Sequence, residues 1–138
     1  MTLNMMIGIP GSGKSTFAQE YLSGTYLSSD DLRDELGKID IWEEMHVRTE
    51  EALRLGEDVI YDATNIKKKD RKTVLELAKE YGARSVAYVM DTPFEECLER
   101  NKMRDVKRIV PVDVVERMRE NYELTTYEEF DEIIHVDP

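Results

Sequence analysis

Eight residues near the amino terminus, Gly8-Ile9-Pro10-Gly11-Ser12-Gly13-Lys14-Ser15, follow the spacing G-x-x-x-x-G-K-[ST]. That spacing has one chemical use. Glycines let backbone N–H groups turn inward around phosphate oxygens, and a helix that starts where the loop ends adds its positive end to the same anion. Lys14 is placed to neutralise β- and γ-phosphates, and the Ser15 hydroxyl to ligate Mg²⁺. Gly11, Ser12, Gly13 and Thr16 complete the expected binding set for ATP or another nucleoside triphosphate.

A triphosphate site does not say whether water or a substrate receives the phosphoryl group. Two further clusters bear on that. Ser28-Ser29-Asp30-Asp31-Leu32-Arg33 follows the short apolar run 25–28, and Asp62-Ala63-Thr64-Asn65 follows the run 58–61. A carboxylate at the end of such a run, beside the phosphate loop, can accept a hydroxyl proton as attack on the γ-phosphorus develops. Asp30 or Asp31 could serve instead as a helix cap, which needs only one of them. Arg33 falls about one helical turn after Asp30 and on the same face. A guanidinium there suits an anionic acceptor, because it binds phosphate in a bidentate fork. Asp62 reads as a magnesium partner acting through water, and Asn65 as a substrate contact or as the cap of the next helix.

The charge distribution adds a third cluster. The 138 residues carry 19 Lys+Arg and 30 Asp+Glu, a formal charge of −11, yet residues 100–108 hold five bases and one acid. Arginines between helices can close over a triphosphate and exclude water, so Arg100 and Arg104 are candidate lid residues over about 100–110. Residues 63–84 hold seven bases and three acids. There Lys67, Lys68, Lys69 and Lys72 read equally as a solvated helix face or as a binding patch.

The elements that must position these groups are visible as two alternating patterns. Nearly continuous apolar runs at 3–9, 25–28, 58–61, 85–90 and 133–136 predict strands covered on both faces, as in a parallel sheet. Helix-period segments lie between them. Phe17 and Tyr21 form one, closed by Ser23-Gly24. Val74, Leu77, Ala78 and Tyr81 form another, stopped by Gly82. Thr92-Pro93-Phe94-Glu95 predicts a capping box with proline in the first turn, and Pro111 opens a helix with Val115, Met118 and Tyr122 on one stripe. The expected fold is a three-layer α/β P-loop kinase with a five-stranded parallel sheet, helices on both faces and a helical lid, as one domain over 1–138. Right-handed crossovers then gather every loop that follows a strand on one edge.

Taken together, GIPGSGKST, SSDDLR, DATN and R-N-x-x-R-(x)₆-P, in this order, resemble the phage-type polynucleotide 5′-hydroxyl kinases and their small bacterial relatives. The resemblance runs from about Met5 to the end of the chain. It implies that Lys14 and Ser15 bind ATP phosphates and magnesium. Asp30 would be the general base on a 5′-hydroxyl. Arg33 and Thr64 would hold the phosphate on the 3′ side of the acceptor's first nucleotide, and Arg104, helped by Arg100, would reach the transferring phosphoryl group. The family's pattern has aspartate directly before the Thr-Asn pair; here Ala63 stands there and the acid is Asp62. No D-x-D-x-T nucleophile motif is present, so phosphatase activity is not expected.

Composition sets the remaining bounds. The single cysteine, Cys97, excludes a disulfide framework and a multi-cysteine metal site, and reads as a buried apolar residue. His46, in a segment with Trp42, Met45 and Leu53, reads as a helix-packing residue. The acidic stretch from Glu128 to Asp137 reads as a solvated helix start and a terminal strand. With no secretory start and no long apolar run, a cytoplasmic protein without membrane contact is expected, in the host cytoplasm if phage-encoded. The leading expectation is an ATP- and Mg²⁺-dependent kinase acting on the 5′-hydroxyl ends of DNA or RNA. A kinase of a nucleoside, nucleotide or metabolite is the alternative, and an NTP-binding switch the third.

Overall fold

The computed structural model describes residues 1–37 and 40–137. Five strands, β1 (Thr2–Ile7), β2 (Thr25–Ser28), β3 (Val59–Asp62), β4 (Arg84–Met90) and β5 (Glu132–Val136), form one sheet in the order β2-β3-β1-β4-β5. Every neighbouring pair is parallel. The helices are α1 (Lys14–Tyr21), α2 (Ser29–Leu36), α3 (Ile41–Arg54), α4 (Lys68–Glu80), α5 (Phe94–Lys102) and α6 (Val112–Glu120), with a 3₁₀ turn at Val106–Arg108.

Alternate residues of β1 explain the three layers. Leu3, Met5 and Ile7 join the core formed with α3 and α4, where Met45, Leu53, Val74 and Leu77 are buried. Met6 faces the other way, into the cluster with Ala18 of α1, Ile60 and Met90. A third cluster of Ile9, Ile66, Cys97 and Val115 ties α5 and α6 to the carboxyl-terminal edge of the sheet. Both faces of β1 are therefore dry, which is why its sequence shows no alternation. Among the described residues no helix is long and apolar enough to cross a membrane.

The strand order puts β1 at the centre and sends the chain from one side of it to the other between β3 and β4. Ligands of open α/β sheets bind beyond strand ends at such a reversal. The register sets the site directly: Ser28 lies opposite Asp62, and Met6 opposite the same aspartate on the other side.

Three capping expectations change. Ser28 caps α2, its hydroxyl accepting from Asp31 N–H at 3.2 Å, so neither Asp30 nor Asp31 is spent as a cap. The helix expected from Thr92 begins one residue later than a capping box requires, with Pro93 at the cap position and no side-chain cap bond. The Thr92 hydroxyl donates instead to Ser12 O at 2.6 Å, across to the phosphate loop. Pro111 likewise sits at the cap position of α6, just before its first helical residue.

The acidic carboxyl-terminal stretch is more than a solvated surface. Arg71 of α4 is fully buried and donates to Glu129 at 2.9 and 3.2 Å, and to the carbonyls of Asn65, Glu123 and Leu124. It thus pins both the loop after β3 and the segment before β5. Replacing Arg71 with methionine removes one partner of a buried pair and strands three carbonyls, an expected loss of about 3–5 kcal/mol. Urea denaturation checks this; a variant within 0.5 kcal/mol of wild type, a typical surface substitution, would show that the pair is not structural.

Candidate active site

The phosphate loop turns on two glycines at backbone angles that strain any residue with a Cβ. Gly11 and Gly13 have φ of 83° and 91°, and a Cβ at Gly11 would stand 2.1 Å from Cys97 O. Helix α1 follows at once. Its first closing bond runs from Phe17 N–H to Gly13 O, so the amides of Lys14, Ser15 and Thr16 have no partner one turn back. The buried Ser12 hydroxyl has no hydrogen-bond partner either. Inward amides, a helix start and a lysine make an anion cradle, and the residues present fit a polyphosphate. The cleft above them, about 760 Å³, is lined by Gly13, Lys14, Ser15, Thr16, Arg100 and Arg104.

The Ser15 hydroxyl donates to the Asp62 carboxylate at 2.7 Å. Tyr26, which spacing alone did not single out, donates its hydroxyl to the same carboxylate oxygen. Burial, reinforced by the Asp62 charge, pushes the Tyr26 phenol up to about 12, so it remains a donor. One hydroxyl and one carboxylate side by side, with phosphates to supply the remaining oxygens, is a donor set that suits Mg²⁺. Lys14 lies between Asp62 and Asp30. Desolvation holds its pKa below the ordinary lysine value, with the two carboxylates opposing that shift.

Asp30 sits in the first turn of α2 and lines a hollow of about 190 Å³ shared with Lys14, Arg33, Asp62, Thr64 and Arg104. Its two carboxylate oxygens are taken by two guanidiniums, Arg33 at 3.2 Å and Arg104 at 2.5 Å. Arg104 lines both this hollow and the larger cleft, and so stands at their junction. Thr64 joins the hollow while its carbonyl accepts from Gly8 N–H at 3.0 Å. Two separate expectations, the phosphate loop and the acid–arginine pair, thereby meet in one place.

Asn65 is tied to backbone by its amide and also lines a cavity beside the Asp30 hollow. It is 4% exposed, has a positive φ of 50°, and donates its amide to Met6 O and Ala63 O. With its amide spent on backbone it shapes the loop, and it is not a helix cap, since α4 begins after Lys67. Arg100 is one of two last-turn cations of α5, paired with Glu96, with its other amine only 3.0 Å from where a Gly13 Cβ would be. The basic run at 100–108 also has a use that its composition did not reveal. Arg108 bonds Asp31 at 2.9 Å and also Asp34, and Lys107 lies 3.7 Å from Asp34. The run is clasped to the acidic face of α2.

Cys97 is fully buried, and burial raises its thiol pKa, which leaves it inert. Trp42, in contrast, is 48% exposed and lines the Asp30 hollow, with the Arg33 guanidinium 5.5 Å from its ring centre. His46, expected to pack within α3, lines a neighbouring cavity with Trp42.

A profile of the AAA domain family matches residues 3–125, nearly nine-tenths of the chain. The chain belongs to this family. Among proteins similar to this AAA domain, one from Acanthamoeba polyphaga mimivirus, bearing the name of a bifunctional polynucleotide phosphatase/kinase, is 35% identical over 139 residues, covering 94% of this chain and 31% of that protein. The L-seryl-tRNA(Sec) kinase of Methanococcus maripaludis is 27% identical over 138 residues, covering 88% of this chain and 52% of that protein. The AAA domain therefore spans about a third and about a half of these relatives. A sugar kinase structure from Janibacter sp. superposes with a TM-score of 0.73 at 16% identity, covering 99% of this chain and 85% of that one. The likeness establishes a P-loop kinase fold.

Proposed function

We propose that this AAA domain is an ATP-dependent kinase of polynucleotide 5′-hydroxyl ends. The observation that carries the reading is Asp30: a carboxylate in one hollow with the phosphate-loop lysine and two arginines. In the reaction the acceptor oxygen bonds to the γ-phosphorus as the bond to the β-phosphate oxygen breaks, ADP leaves, and the hydroxyl proton passes to Asp30. Ser15, with Asp62 through water, would hold Mg²⁺, which supplies charge neutralisation between the phosphates when bound. Arg33 and Thr64 would hold the acceptor's phosphate, and Arg104 and Arg100 the transferring group.

The name borne by the mimiviral relative supports a nucleic acid acceptor, and so does helix α4. The lysines found in ion pairs are Lys102 and Lys107. Among the described residues the ammonium groups of Lys67, Lys68, Lys69 and Lys72 have no such partner. Four cations outside ion pairs at the start of one helix, in a chain of charge −11, suit a polyanionic acceptor. Reversing Lys68 and Lys72 to glutamate is expected to raise KM about tenfold for an oligonucleotide and leave it unchanged for a nucleoside 3′-monophosphate. Steady-state assays with both acceptors check this, and equal KM values for the oligonucleotide would remove the patch from binding.

A small-molecule acceptor is the second reading, favoured by the modest size of the hollow and by the fold shared with a sugar kinase. Incubation with γ-labelled ATP and Mg²⁺ separates the two when 5′-hydroxyl DNA, 5′-hydroxyl RNA, nucleosides, sugars and no acceptor are offered in parallel. Label on oligonucleotides supports the proposal. Label on small molecules alone, or free phosphate alone, overturns it.

A further inference from the structure

Beyond the Asp30 hollow lies a second cavity, about 350 Å³, between α3 and α4. Trp42 and Thr64 line both, so the two compartments share a wall. We infer that the second cavity is a base-binding subsite, in which the planar ring of the acceptor's first nucleotide stacks on Trp42. The inference rests on the reading of Asp30 as the residue that faces the acceptor hydroxyl.

The argument begins with the side chain itself. A tryptophan removes more apolar surface from water than most residues when covered, yet this one is nearly half exposed at the junction of two cavities. Nothing in the core needs it there: the buried face of α3 is made by Ile41, Met45, Ala52 and Leu53. One neighbour of the ring is a cation, the Arg33 guanidinium, which lies over a ring face at 5.5 Å from its centre. The single tryptophan is thus held at the surface where an acceptor must pass.

The cavity's chemistry fits a heterocycle better than a second sugar. Val74 and Leu77 give it an apolar floor, while His46, one turn after Trp42 on α3, faces Asp70 and Thr73 of α4 across it. An apolar floor with a few donors and acceptors at the rim accepts a flat ring and bonds its edge. The sizes agree as well. An alcohol and its sugar fill the smaller hollow, and whatever the sugar carries enters the larger space. A free sugar would leave the larger space empty. Lys69, one of the unpaired cations of α4, lines this cavity too, and leads from the subsite to the basic face.

Trp42 is the chain's one tryptophan, so its emission reports the subsite without any activity. The probes are a 5′-hydroxyl trinucleotide and the same molecule with an abasic residue at its 5′ end, titrated without ATP. Saturable quenching by the first and not by the second is expected; equal quenching by both, or by neither, overturns the inference. In steady-state transfer, Trp42→Ala is expected to raise KM for the base-bearing acceptor about tenfold or more, with kcat within threefold and the ATP KM unchanged. Trp42→Phe should restore most of the loss, and the abasic acceptor should have the same KM with wild type and Trp42→Ala. A matched rise for the abasic acceptor would mean that Trp42 only props Arg33, and would overturn the subsite. If no acceptor is phosphorylated, the kinase proposal fails while the titration still decides the subsite.

Discussion

Replacing Asp30 with alanine is expected to lower single-turnover transfer by about 10²–10⁴ while ATP binds as tightly as before, or more tightly. The loss follows from proton transfer: the acceptor hydroxyl is a poor nucleophile until its proton has somewhere to go, and Asp30 is the carboxylate beside Lys14 in that hollow. The unchanged or improved ATP affinity follows from geometry. Arg104 spends one guanidinium nitrogen on Asp30 at 2.5 Å, and that donor is then not available to a phosphate. Removing the carboxylate frees the arginine. Asp30→Asn is the companion variant, keeping the shape and losing the base. Both pairs made by Asp30 are about a third or more exposed at one partner, so stability should change by less than about 1 kcal/mol. Titration with a fluorescent ATP analogue and a rapid-quench experiment measure the two effects. Transfer at the wild-type rate in either variant would remove Asp30 as the base.

The second large effect belongs to Arg104. Arg104→Ala is expected to lower kcat by about 10³–10⁵, the range for arginines that stabilise a transferring phosphoryl group. Arg104→Lys should recover only a small part of that, because an ammonium is a point charge and cannot span two oxygens as the planar fork does. Position supports the role: Arg104 borders the cleft above the phosphate loop and the hollow around Asp30, the line along which the phosphoryl group would travel. The discriminating measurement is kcat against the dissociation constant for ATP. A ground-state contact would weaken both together, whereas an arginine that acts in the transition state lowers kcat far more than affinity. An unchanged kcat in the lysine variant would take Arg104 out of the mechanism.

Much of this arrangement was legible in the chain before any coordinates, and the reason is local. The three inner runs became strands buried almost throughout, which composition alone reports, whereas the edge strands β2 and β5 are only partly covered. The phosphate loop and the Asp30–Arg33 pair depend on separations of a few residues, which spacing shows directly. Contacts across long separations were not legible. Arg108 meets Asp34 over 74 positions, and Thr92 reaches Ser12 over 80. Thr92-Pro93-Phe94-Glu95 looked like a capping box, but Pro93 takes the cap position and the threonine hydroxyl donates to the phosphate loop instead. The exposure of Trp42 and the burial of Asn65 were not legible either, because neither spacing nor composition reports where several strand ends meet.

The clasp between the basic turn and α2 has a consequence for how the molecule would respond to its medium. Its charged groups, Lys107 and Arg108 on one side and Asp31 and Asp34 on the other, are 29–61% exposed, and they join surfaces far apart in the chain. Dissolved ions compete for such groups, and at physiological ionic strength they screen charges beyond about 8 Å. Raising the electrolyte concentration therefore loosens the fastening of Arg104's own segment and leaves the apolar layers intact. The enclosure around Arg104 would then open by degrees, so that transfer assays at several ionic strengths would sample differently latched forms of one fold.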